Sequence, residues 1–136
     1  MKKKYILSFN QDSVNKPVTY DLIKNFDIKI NIIKANISAD EAGHLLVEME
    51  ADQENMEKCF QYLDENRVEY VPAENRIIFD QEKCVDCGSC TAVCFAEALT
   101  LDPETRELQF HPEKCVFCKL CTKACPLGLF EIRFNE

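Results

Sequence analysis

The apolar positions in the first half of the chain switch between two periods. Tyr5 to Phe9 form a short apolar run that suits a buried strand, with Lys2 to Lys4 as a solvated lead-in. Val18, Leu22 and Phe26 follow at i, i+4 and i+8, one face of a helix, and Pro17 suits its first turn. Ile28, Ile30 and Ile32 alternate as a strand. The apolar phase then moves to Ile33, Ala35 and Ile37, which predicts a bulge or a second buried face. Asp40-Glu41 and Ala42-Gly43 read as a turn. Leu45, Val47 and Met49 alternate in the next strand, with Glu48 and Glu50 facing out. Met56, Phe60 and Leu63 space as a second helix beginning near Asp52, and Val68 to Val71 supply a last strand. The order βαββαβ predicts an α+β unit: one antiparallel sheet with two helices on one face.

The pattern changes after Pro72-Ala73-Glu74-Asn75, a polar joint that places one domain at 1–75 and another at 76–136. The second domain is an internal repeat of 31 residues. Asp80-Gln81-Glu82-Lys83-Cys84 answers His111-Pro112-Glu113-Lys114-Cys115, Ile77 and Phe79 answer Leu108 and Phe110, and Leu99 and Leu101 answer Phe130 and Ile132. Thr91 answers Thr122. Each unit reads as strand, loop, short helix and return strand, and Asp102-Pro103-Glu104-Thr105 is the turn between the second and third strands. Neither unit has enough apolar residues for a core of its own. Two units packed around a shared inorganic group would have one.

The chain has 136 residues, 46% hydrophobic, with net charge −8. Residues 1–75 hold nine basic and fourteen acidic residues (net −5), and residues 76–136 hold seven and ten (net −3). Such a surface disfavours nucleic acid and anionic membrane, and favours a protein partner with a basic patch. No apolar run approaches a membrane span. The basic start at Met1 has too short an apolar stretch for a signal peptide, so a cytoplasmic protein is expected. In that compartment thiols stay reduced, and dense cysteines point to metal rather than to disulfides.

Eight of the nine cysteines fall into one spacing written twice. Cys84, Cys87, Cys90 and Cys94 follow C-x2-C-x2-C-x3-C, and Cys115, Cys118, Cys121 and Cys125 repeat it. This is the ligand run of a protein with two [4Fe–4S] clusters. Three cysteines of a run wrap one cluster, and the fourth points away and reaches the other. The expected sets are Cys84, Cys87, Cys90 with Cys125, and Cys115, Cys118, Cys121 with Cys94. Zinc sites usually show separated C-x2-C pairs instead. With every iron held by protein, no open position remains for a substrate, so the domain reads as an electron carrier and not as an enzyme by itself.

The spacing resembles that of the bacterial two-cluster ferredoxins across residues 76–136. One position departs: the family's proline after the fourth cysteine is kept as Pro126 but replaced by Phe95. Phe95 restores an N–H and adds a ring near the second cluster. The first loop carries Asp86, Gly88 and Ser89, whereas the second carries Phe117, Lys119 and Leu120, with Lys123 close by. The cations predict a higher potential for the second cluster.

The first domain resembles the NIL domain. The namesake Asn-Ile-Leu stands here as Asn31-Ile32-Ile33, and Gly43-His44-Leu45-Leu46-Val47-Glu48 and Val68-Glu69 are similar to later motifs of that family. The resemblance covers about residues 3–72 and implies a ferredoxin-like sandwich, a name for topology that implies no cluster there. NIL domains also occur on methionine-transporter ATPases, which implies a methionine-like ligand. NIL–ferredoxin chains are linked to homocysteine formation in anaerobes, beside a larger sulfur-inserting partner. Two readings follow: a redox subunit passing electrons to partner proteins, or one whose first domain senses an amino acid or docks. A stabilising or dimerising domain without a ligand is the third.

Other groups read as structural. Cys59, between Met56 and Phe60, reads as a small core residue rather than a redox thiol. His44 and His111 have no other ligand candidates nearby, and Glu48 with Glu50, like Asp40-Glu41, reads as solvated. Three glycines leave no room for a phosphate loop, and no Ser/His/Asp arrangement can be argued.

Overall fold

The computed structural model describes residues 2–13, 15–38 and 42–134; the expected turn at Asp40-Glu41 lies outside them. The chain divides between Ala73 and Glu74 into two compact units.

The first unit runs β1 (Lys2–Phe9), α1 (Val18–Phe26), β2 (Lys29–Asn36), β3 (Gly43–Glu50), α2 (Gln53–Glu65) and β4 (Glu69–Pro72). Its sheet has the order β2-β3-β1-β4, and each neighbouring pair is antiparallel. Strand alternation sends Tyr5, Leu7 and Phe9 to the helix side, opposite Val47, Leu45 and Gly43. There they meet Val18 and Leu22 of α1 and Met56, Cys59 and Leu63 of α2 in one buried cluster. The helix spacing read from the sequence therefore names the packed faces. Tyr62 ties the helices together: its hydroxyl donates to Asp21 Oδ2 at 2.6 Å, and its ring meets Phe26 edge-on at 5.7 Å.

The register of β2 against β3 slips between Ile32 and Lys34, which is the expected bulge. As an edge strand β2 is only half covered, and Ile32 stays 53% exposed. Two readings need correction. Lys2 to Lys4 are not a lead-in; they belong to β1, pair with Glu48 to Glu50, and Lys2 reaches Glu48 at 3.5 Å. The cross-strand charge complement explains why the strand extends that far. Gly43 opens β3 rather than sitting in the turn.

The second unit contains β5 (Ile77–Phe79), β6 (Leu99–Leu101), β7 (Leu108–Phe110), α3 (Leu120–Ala124) and β8 (Phe130–Ile132), with short 3-10 turns between them. β5 pairs with β8 and β6 with β7, so each two-stranded ladder takes one strand from each repeat. The pair Ile77–Ile132 is matched by Leu108–Leu101, which gives the unit its pseudo-twofold symmetry. Phe79 stacks on Phe130 at 4.3 Å, and Phe110 meets both edge-on. The β6–β7 turn is closed by Asp102, whose Oδ1 accepts the N–H groups of Glu104 and Thr105.

Candidate cluster site

The repeat extends to backbone dihedrals. Asp86 and Phe117 have φ of 57° and 60°, Gly88 and Lys119 have 76° and 66°, and Glu97 and Gly128 have 58° and 63°. Left-handed residues set two apart reverse the chain and turn successive amides inward, a concave arrangement that suits anions such as thiolate sulfur. Thr91 and Thr122 lock the two loops alike, each hydroxyl donating at 2.6 Å to the carbonyl three residues back, of Gly88 and Lys119.

The loops bring cysteines of the two runs near one another. Cys94 of the first run lines one pocket with Cys115, Cys118 and Cys121 of the second, over an apolar floor that includes Leu99, Phe130 and Ile132. Burial pushes the Cys121 thiol up to about 12, and the neighbouring charges of Cys115, Cys118 and Cys94 push it the same way. In the other set burial raises Cys90, and Cys84, Cys125 and Cys87 add to the shift. Four thiolates this close repel one another in a partly apolar pocket, and a cationic iron–sulfur core removes that cost. Cys87 is shifted the other way, downward, first by the Ser89 backbone N–H. The Phe117 N–H donates to Cys115 Sγ at 3.4 Å.

Among the described residues no three His, Cys, Asp or Glu side chains converge tightly enough for a single metal ion.

Residues 83–129 match the 4Fe-4S dicluster domain, and residues 3–71 match the NIL domain. The chain belongs to the NIL domain family. The dicluster match behind that domain makes two [4Fe–4S] clusters its cofactors and gives the NIL protein an iron–sulfur redox role. It is 38% identical over 105 residues, 76% of this chain and 78% of the relative, to the L-aspartate semialdehyde sulfurtransferase iron-sulfur subunit of Methanocaldococcus jannaschii. Among solved structures it is similar to the C-terminal domain of an ABC transporter ATP-binding protein from Enterococcus faecalis. That likeness has 22% identity and a TM-score of 0.46, and covers 52% of this chain and 81% of the other.

The remaining candidates of the NIL protein fall into place. Cys59 is fully buried in the apolar cluster, and burial pushes its thiol up to about 12, so it is a core residue with no nucleophilic character at neutral pH. His44 Nδ1 stands 3.2 Å from Ser8 Oγ, and His111 Nδ1 stands 3.8 Å from Glu113. Phe95 spends its restored N–H on the Val93 carbonyl, and its ring is 71% exposed. One tie escaped the sequence reading: Asp86 Oδ1 accepts the N–H of Leu108 at 2.8 Å. Its only local signal is an aspartate where the chain turns left-handed, a conformation that residue tolerates well. No helix among the described residues is long and apolar enough to cross a membrane.

Proposed function

We propose that the chain is the iron–sulfur redox subunit of a cytoplasmic sulfur-inserting enzyme. In this reading one cluster is held by Cys84, Cys87, Cys90 and Cys125, and the other by Cys115, Cys118, Cys121 and Cys94. The observation that carries it is the 105-residue match to a sulfurtransferase iron–sulfur subunit, which is longer than either domain alone.

The chemistry supplies a reason for a redox subunit. An aldehyde, one hydrogen sulfide, two electrons and two protons together give a thiol and one water. The carbonyl oxygen leaves as that water, a carbon–sulfur bond forms, and the carbon is reduced. Sulfide alone cannot complete the change, because it does not supply the two electrons. A chain with two one-electron groups and no substrate position of its own matches that need, while a larger partner binds aldehyde and sulfur. The substrate class is an aspartate semialdehyde and the product homocysteine. The test is anaerobic reconstitution with the larger partner, sulfide, a low-potential reductant and aspartate semialdehyde. Homocysteine should form only when both proteins are present, and Cys94→Ser and Cys125→Ser should each abolish it. Unchanged yield without this chain would refute the reading.

A second reading concerns the first domain. Ser8, Asn10, His44, Arg67 and Glu69 line one cleft together with Phe9 and Ala42. Exposed Arg67 and Glu69 offer the opposite charges that a zwitterionic amino acid needs, which supports a methionine-like ligand there. Calorimetry of the full chain with methionine and homocysteine should show binding that Arg67→Ala removes. Absence of heat at millimolar ligand would refute this reading.

A further inference from the structure

We propose that Asp86 sets the difference between the two clusters: its carboxylate, fixed beside Cys84, holds the first cluster's reduction potential below the second's. The inference rests on the cysteine sets proposed above.

Asp86 and Phe117 occupy equivalent places in the two loops, with nearly the same backbone φ of 57° and 60°. Their side chains do opposite things. Asp86 Oδ1 stands 3.9 Å from Cys84 Sγ and accepts the Leu108 N–H at 2.8 Å. Leu108 opens β7 in the other repeat, so the exposed carboxylate is tied from across the domain. Phe117 is fully buried and lies edge-on to Phe134 at 6.4 Å. It brings no charge to Cys115, and its N–H donates to that sulfur. Two residues further on, Gly88 of the first loop is answered by Lys119 of the second.

An electron entering a cluster makes it more negative. Each set has an amide donor, from Ser89 to Cys87 and from Phe117 to Cys115, so the difference lies in charge. A carboxylate against one of the ligand sulfurs opposes the gain through Coulomb repulsion, whereas a lysine favours it. The first set is therefore biased toward the oxidised state and the second toward the reduced state. Electrons gather at the end built from Cys94, Cys115, Cys118 and Cys121.

Asp86→Asn separates charge from scaffold, because the amide oxygen still accepts the Leu108 N–H. Iron analysis of the unmodified chain comes first: fewer than eight irons per chain would overturn the cysteine sets themselves. Anaerobic redox titration followed by EPR then reads both potentials. Asp86→Asn should raise the lower one by about tenfold in the reduction equilibrium, 59 mV for a one-electron couple, and leave the other in place. Asp86→Glu should stay near the unmodified values, and Lys119→Glu should lower the higher potential. If Asp86→Asn moves neither potential, or both alike, the assignment fails. Raising the ionic strength on the unmodified chain should narrow the gap, and a gap indifferent to salt would also sink it.

Discussion

The NIL domain and the cluster domain hold themselves together by different means. In the first, eight-residue strands β1, β2 and β3 carry two helices, and Leu22, Met49, Cys59 and Leu63 are fully buried between them. In the second, each strand is three residues long and pairs with only one other. Two-stranded ladders of that length are marginal in water. What lies between them is a set of cysteine loops whose most buried members, Cys90 and Cys121, resist ionisation. The contrast teaches where the stability of each half comes from: apolar burial in one, ligation in the other.

The sharpest break of that contrast is removal of iron. Anaerobic chelation of the full chain should release residues 74–134 to rapid amide exchange and leave the strands and helices of residues 2–73 protected. Exchange measured by mass spectrometry checks this, and joint loss of protection would mean that the two halves stand or fall together.

Leu63→Ala attacks the other half. It removes a fully buried side chain from the NIL core and should cost about 2–5 kcal/mol. Chemical denaturation should show the loss in the first domain's transition, while iron content stays at the unmodified level.

The buried thiol gives a pH test on the same side. Cys59 is raised from 9.0 to about 12 in the folded chain. The folded state keeps the proton after the unfolded state has lost it. Its stabilising contribution is thus complete below pH 9 and fades as pH rises toward 12, by up to about 1.4 kcal/mol per pH unit. Denaturation midpoints followed against pH should fall more steeply in the native chain than in Cys59→Ala. Equal slopes would show that the thiol does not titrate as its burial demands.

The smallest effect belongs to Tyr62. Tyr62→Phe deletes the 2.6 Å hydrogen bond to Asp21 and should cost about 1 kcal/mol, again in the first transition only.

Much of this is legible in the order of residues. Periods of two and about four mark the strands and helices of the NIL domain, because alternation and helical spacing are local consequences of backbone geometry. The bulge after Ile32 shows itself as a slip in apolar phase. The cysteine runs name the cofactor, because a cube of iron and sulfur demands closely spaced thiolates. Lys2 to Lys4 read as solvent-bound because their place in β1 depends on Glu48 to Glu50, more than forty residues away. Phe95 reads as an amide near the cluster, yet the folded chain spends that amide on Val93.

Tertiary structure alone decided that β5 pairs with β8. The turn at Asp102 marks β6–β7 in the sequence, but no local propensity brings Ile77 to Ile132. It also decided what Asp86 does. In sequence Asp86 is one acidic residue in a loop, and only the approach of the Leu108 N–H from the other repeat fixes its carboxylate beside Cys84. Composition and spacing dictate which groups the chain can bind, because those depend on neighbours in sequence. Where a charge comes to rest beside a ligand depends on neighbours in space, and those exist only once the chain has folded.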